Sequence, residues 1–229
     1  MIAIAVVDDD TLMRRAFLDG IDPRVRAVAV VPRVEPLPAT VATDCSAIVV
    51  DLRLRTASSP DQDVVQGTAA VLYALRFGLP ILIYTNEQRL EVLAACMAIG
   101  AKGLVFKADS LEDLVEGLLQ VGEGATFVTP AAAGLLARLN ALRSNGLALT
   151  DRQIDVLKLR ASGFDRQRIA SRLSLSTKTV ESHIAAVGLV YADYLREHGT
   201  GQLLHDLGLE DGDLVDPRHL PRRRRRRLS

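Results

Sequence analysis

Six side chains stand where chemistry could be done. Asp8, Asp9 and Asp10 close the run AVVDDD, Asp51 closes AIVVD, Thr85 closes ILIYT and Lys107 closes GLVFK. Two carboxylates about 4 Å apart repel by roughly 4 kcal/mol at an effective dielectric near 20, so the adjacent aspartates need something that offsets this cost. Three readings compete. Asp9 or Asp10 could cap a helix, since residues 11 to 18 have helical spacing and helix N-termini favour acids. The run could be solvated loop. Alternatively, two of its carboxylates could share a divalent cation, which takes oxygen ligands and turns repulsion into coordination.

What these side chains can do together depends on the strands and helices that carry them. Continuously apolar runs recur at 2 to 7, 27 to 31, 47 to 50, 81 to 84 and 103 to 106. Such runs fit strands buried on both faces, as in a parallel sheet covered by helices. Helical stretches at 11 to 20, 64 to 77, 87 to 99 and 110 to 122, with a weaker one near 36 to 43, complete a βα unit taken five times. The fold class expected is α/β, a doubly wound five-stranded parallel sheet of flavodoxin-like form.

Ligands of such sheets bind beyond the carboxyl ends of the strands, where Asp8, Asp9, Asp51, Thr85 and Lys107 fall. Taken singly, each is a polar strand end meeting water. Together they form a set with a chemical sense. Three carboxylates can hold Mg²⁺, the ion neutralises an incoming phosphoryl group, and a hydroxyl and an ammonium bind its remaining oxygens. One carboxylate must then be the nucleophile, and Asp51, central and opposite the acidic pair, is the natural choice.

Over residues 1 to 123 the chain resembles the receiver domain of two-component response regulators. VVDD at 6 to 9, VVD ending at Asp51, YT ending at Thr85 and GAKGLVFK ending at Lys107 carry the resemblance. It implies that Asp51 accepts a phosphoryl group from a sensor histidine kinase. Asp9 and Asp51 would ligate Mg²⁺ directly with Asp8 assisting, and Thr85 and Lys107 would hold the phosphoryl oxygens. Asp10 is left as the helix cap. An aspartyl phosphatase would need a second Asp two residues after the first, where this chain has Arg53. With no Gly-x-Ser-x-Gly, Gly-rich phosphate loop or Cys/His pairing, the chain is not read as an enzyme. It departs from the receiver pattern in a long polar excursion after Asp51 and in Leu104 where a switching aromatic is usual, with Phe106 two residues on. Arg53 and Glu87, each two residues beyond a pocket residue, are expected to pair at the rim.

Composition divides the chain. Residues 1 to 128 hold 17 acids and 11 bases, a net of −6, and the remainder holds the reverse, +6. An acidic front and a basic back suggest two modules with different partners, the second suited to a polyanion. Cys45 and Cys96 lack metal-ligand spacing, and no run approaches the ~20 apolar residues of a membrane span, so no membrane association and a reduced, cytoplasmic location are expected.

The stretch PAAAGLLARLNALR (130 to 143) reads as a linker helix broken by SNG. In LTDRQIDVLKLRASGFDRQRIASRLSLSTKTVESHIAAV, Thr150 with Gln153 spells a capping box, Gly163 a stop, and Asp165 a second cap. A third helix starts after Ser176. Two short helices around Ser174-Leu175-Ser176 match a helix-turn-helix equally as well as a small protein-binding bundle; seven bases against four acids over 150 to 190 favour DNA, with Arg166, Arg168 and Lys178 as phosphate contacts.

This segment resembles the LuxR-type DNA-binding domain of the NarL/FixJ response regulators, through LTDRQIDVLKL, RIASRL, LSLSTKTVESHI and Thr179-Val180-x-x-His183 over about 147 to 187. Lys178, Thr179, Glu181, Ser182 and Ala185 lie on the outer face of the third helix, and the resemblance turns Glu181, Ser182 and Ala185 toward base edges; a homodimer formed on phosphorylation or on DNA is expected. It ends after Val187, where a Lys-Leu-Gly turn and fourth helix are usual. The third helix is instead expected to extend, since Val180, Ile184, Val187, Tyr191 and Tyr194 keep a 4-3-4-3 spacing. The division expected is receiver 1–123, linker 124–148, DNA-binding domain 149–190, and an extension 191–229 with an acidic segment and six arginines, Arg222 to Arg227. A ligand- or partner-controlled regulator and a receiver-based adaptor are the alternatives.

Overall fold

The computed structural model describes residues 1–54, 66–138 and 149–198, with side chains described as far as Asp193. The middle of the polar excursion after Asp51, the end of the linker helix and the arginine-rich tail lie outside the described residues.

Strands β1 (Ile2–Val7), β2 (Val25–Val31), β3 (Ala47–Val50), β4 (Ile81–Thr85), β5 (Gly103–Phe106) and β6 (Phe127–Val128) form one parallel sheet in the order β2-β1-β3-β4-β5-β6. The five expected strands are present. The sixth, two residues long, lacks the length of apolar run that would flag it, and lies beyond residue 123. β3 and β4 are buried along their whole length, as their unbroken apolar sequences require, whereas β2 at the edge is half-exposed.

The two-residue period of a strand sorts these side chains onto two faces. Ile4, Val6, Val49, Leu82, Tyr84 and Val105 pack beneath α1 (Thr11–Asp19) and α5 (Leu111–Gly122). Ala5, Val7, Ile48, Val50, Ile83 and Leu104 face α2 (Val41–Asp44), α3 (Gly67–Leu75) and α4 (Leu90–Ile99). This second core continues without a break into α6 (Pro130–Ala137), α7 (Asp151–Ala161), α8 (Arg166–Leu173) and α9 (Thr177–His198).

Local signals set the helix boundaries. Asp10 caps α1, accepting from the Leu12 and Met13 amides at 2.8 and 3.4 Å, which settles its part in the opening acidic run. Thr150 and Gln153 form the expected capping box and Asp165 caps α8 through Arg168 N at 2.8 Å. Ser174, in the left-handed region at φ 54°, ends α8 and makes the tight turn into α9. α9 runs 22 residues, so the extension past Val187 is real. Val180, Ile184, Val187 and Tyr191 form its buried stripe, packed within the same chain.

Gly103 marks how closely α5 sits on the sheet: a Cβ there would stand 2.8 Å from Val121 Cγ2 and 2.9 Å from Leu82 Cγ. Gly103→Ala should therefore destabilise the chain by about 1–3 kcal/mol, read as a lower urea midpoint at unchanged m.

Candidate functional site

Because the sheet is parallel and β1, β3, β4 and β5 are neighbours in it, their carboxyl ends meet at one edge. Four residues spread along the sequence from Asp8 to Lys107 are thereby brought together. Lys107 Nζ lies 2.7 Å from Asp51 Oδ2 and 2.8 Å from Asp8 Oδ2, bridging the two carboxylates. Thr85 Oγ1 donates to Asp51 Oδ1 at 2.7 Å, and the Arg53 amide reaches the same oxygen at 3.2 Å. Asp8 also accepts from the Asp10 amide at 2.9 Å. Asp8, Asp51 and Thr85 are buried, while Asp9 is half-exposed on the open side.

The electrostatics follow from this crowding. Burial pushes the Asp8 carboxyl up, with the Lys107 hydrogen bond opposing it in part; burial and then the charges of Asp51 and Asp8 push Asp9 up. Burial works against the Lys107 ammonium, but its hydrogen bonds to Asp51 and Asp8 win and hold its pKa above the ordinary value. Three carboxylates share one cation, so the pocket retains a surplus of negative charge. Oxygens of Asp8, Asp9 and Asp51 lie within 4.8 Å of one another, and they are the only cluster of this kind among the described residues. An all-oxygen donor set of this charge suits a hard divalent cation such as Mg²⁺.

Glu87 is fully buried beside this pocket. The expected pair with Arg53 is present at 3.4 Å, but Arg53 is largely exposed and Arg89 is the stronger partner, at 2.6 Å from Glu87 Oε2. Glu87 Oε1 also accepts from the Gln88 and Arg89 amides at 2.9 and 2.8 Å, and the Glu87 amide donates to Thr85 Oγ1 at 3.1 Å. Sequence reasoning missed Arg89, whose spacing from Glu87 carries no signal until the chain turns into α4. Leu104 is fully buried and Phe106 half-buried, so no aromatic ring occupies the usual switching position.

In the helix-turn-helix, Lys178 and Ser182 are exposed near the start of α9 and Thr179 is half-buried, its hydroxyl 2.8 Å from Ser176 Oγ. Arg168 is exposed, 3.8 Å from Asp165. Arg166 and Glu181, both assigned to DNA from sequence, form an ion pair with each other across α8 and α9. Arg160, not singled out from sequence, is half-buried between the domains. It donates to Val128 O at 2.6 Å and lies over the Phe127 ring at 5.2 Å.

A sheet with an aspartate cluster at its carboxyl edge, joined to a helix-turn-helix, defines a response regulator with a DNA-reading domain. Residues 147–188 match the family model described as bacterial regulatory proteins, luxR family. The chain is 30% identical over 192 residues to the DNA-binding transcriptional activator DevR/DosR of Mycobacterium tuberculosis, covering 81% of this chain and 86% of that protein. It is 27% identical over 184 residues to a nitrate/nitrite response regulator protein homolog of Haemophilus influenzae, covering 79% and 86%. Its fold matches the response regulator RcsB in a DNA complex with a TM-score of 0.53 at 21% identity, over 86% of this chain and 98% of that one. The chain belongs to the DNA-binding transcriptional response regulators of the LuxR/NarL type. These homologues are regulators rather than enzymes, and no helix among the described residues is long and apolar enough to cross a membrane.

Although burial opposes its charge, the hydrogen bonds and charge of Arg89, helped by Arg53, hold Glu87 well below the usual range, at about 2. A carboxylate depressed in the folded state stabilises it fully above its unfolded value, near 4.5, and loses that contribution as pH falls toward about 2. Glu87→Gln should lower stability at pH 7 by about 1–3 kcal/mol, and its deficit relative to wild type should shrink between about pH 4.5 and 2.5 in urea titrations.

Proposed function

We propose that this protein is a transcription factor whose DNA binding is set by phosphorylation of Asp51, the phosphoryl group coming from a sensor histidine kinase. The observation that carries this reading is the convergence of Thr85 and Lys107 on the two oxygens of one buried carboxylate, Asp51, beside the Asp8–Asp9 pair. An Asp51 oxygen would attack the phosphorus of a phosphohistidine. The P–O bond forms as the P–N bond breaks, and the electron pair stays on the departing imidazole. Thr85 and Lys107, already within hydrogen-bond reach of Asp51, are placed to take phosphoryl oxygens in exchange for carboxylate oxygens. Mg²⁺ would be held by Asp9 and Asp51 with Asp8 assisting, and when bound it supplies the positive charge that lets an anion approach an acidic pocket.

Downstream, phosphorylation shifts a population toward a form that pairs on DNA as a homodimer, two recognition helices lying about one helical turn, ~34 Å, apart. Lys178, Thr179 and Ser182 would meet DNA first, being at the accessible end of α9. Arg168 would meet a phosphate. Arg166 and Glu181 would reach DNA only by giving up their mutual pair. The fully buried Leu104 favours one other reading, control by a ligand or partner at the receiver without phosphorylation.

Incubation with acetyl phosphate and Mg²⁺ separates the two. Phosphorylation control predicts a mass gain of one phosphoryl group that Asp51→Asn abolishes and that raises DNA affinity. An unmodified protein, or one modified without change in DNA binding, counts for the alternative. If the Arg53–Glu87 pair restricts water, Arg53→Ala shortens the aspartyl-phosphate lifetime; an unchanged lifetime removes the pair from that role. Lys178→Ala should flatten the slope of log K against log salt by about 0.9.

A further inference from the structure

The seam between receiver and reader is built unlike a contact meant to open. α4 lies on the sheet with one face, yet Val92, Leu93, Ala94, Ala95 and Cys96 are all fully buried, because α9 covers the other. At the crossing a Cβ on Gly188 would stand 2.6 Å from Ala98 N and from Met97 C and 2.8 Å from Met97 O, so the two backbones touch. Around it Val187, Val190, Tyr191 and Ala192 are buried in the same core as the sheet. A second seam joins α6 to α7, where a Cβ on Gly134 would lie 3.6 Å from Ala161 Cβ, and Arg160 ties the reader to Val128 of β6. Large apolar interfaces between domains oppose relative motion, whereas small polar ones permit it.

The reading end of α9 does not need that seam to open. Lys178 and Ser182 are exposed, and Lys178 lies ten residues before Gly188, about 15 Å along the same helix. On the far side, a cleft of about 330 Å³ separates α5 from the reader, between Glu112 and Glu116 on one wall and Arg166 on the other. The contact is therefore closed along α4 and α9 and open along α5 and α8, the geometry of a tilt about a fixed edge.

The fixed edge leads back to the pocket. Thr85 Oγ1 bonds Asp51, the Glu87 amide bonds Thr85 Oγ1, and the Glu87 carboxylate holds the first amides leading into α4. We propose that receiver and reader stay docked when DNA is bound, with α9 clamped to α4 as one rigid lever, and that the state of Asp51 reaches DNA through a tilt of α4 rather than through separation of the domains. The last part rests on the phosphorylation reading above.

Hydrogen exchange on the full-length protein tests the clamp. The probe is a duplex that the protein itself selects from a randomised pool, with and without BeF₃⁻ and Mg²⁺. Amides of 94–98 and 187–192 should keep their protection in free, DNA-bound and BeF₃⁻-treated protein; exchange about 100-fold faster in either of the last two overturns the proposal. Gly188→Ala should speed exchange at both segments and abolish the BeF₃⁻-dependent gain in DNA affinity, while acetyl phosphate still labels Asp51 as in wild type. A Gly188→Ala protein that folds, is labelled, and keeps the full gain speaks against the lever. Failure of wild type to be labelled at Asp51 removes the phosphorylation reading instead, and the DNA-bound exchange alone then decides whether the domains stay docked.

Discussion

The structure turns on one electrostatic constraint: a single ammonium, Lys107, holds together two buried carboxylates at the edge of a sheet. Bringing Asp8 and Asp51 into one low-dielectric pocket is unfavourable unless a cation lies between them. Lys107 reaches that position only because β5 lies one strand beyond β4 and two beyond β3, with every carboxyl end on the same side. The register supports it: Val7 pairs with Val50, so Asp8 and Asp51 follow side by side, and Thr85 pairs with Phe106, the residue before Lys107. The fold is thus the device that converts distant sequence positions into one charged cluster. That cluster still holds more negative than positive charge.

Much of this was legible because it is written in short-range chemistry. The apolar runs of β3 and β4 are unbroken, and unbroken runs mean strands covered on both faces. Asp10, Thr150 and Asp165 announce helix starts through a side-chain oxygen that needs an amide two or three residues on. The pocket was legible as strand ends plus topology. What could not be read was anything set by which element lies against which. Arg89 becomes the main partner of Glu87 only after the chain bends into α4. Arg160 looks like any helix-surface base in sequence, yet Phe127 and Val128 enclose it and burial pulls its pKa down. β6 is two residues long, too short for any pattern, and exists because β5 offers it an unpaired edge.

The charged residues of the reader show why composition is an imperfect guide to a polyanion. Seven bases over residues 150 to 190 suggest a DNA-facing surface, but two of them are committed elsewhere. Arg160 is enclosed at the seam between domains, and Arg166 is half-buried against Glu181. A guanidinium held in such a pair loses that partner if it turns to a phosphate, so its net gain on DNA is less than its charge implies. Lys158, Arg168, Arg172 and Lys178 are exposed, and among the described residues of the reader these are the bases open to solvent.

α9 is where sequence departure and structural consequence meet. The family match ends at residue 188, and from Val187 onward the helix packs into the same core as the sheet. Gly188 is the residue that makes this possible. Elsewhere in a helix glycine costs about 1 kcal/mol relative to alanine, since it leaves the backbone more freedom to lose. Here that cost is offset by letting two helix backbones touch, a contact that any side chain would prevent. A turn after Val187 would have left α4 with an uncovered apolar face; continuing the helix covers it with Val190, Tyr191 and Ala192. α9 and α4, the helix that leads away from the Asp51 pocket, are then adjacent members of one packed layer, joined backbone to backbone at Gly188.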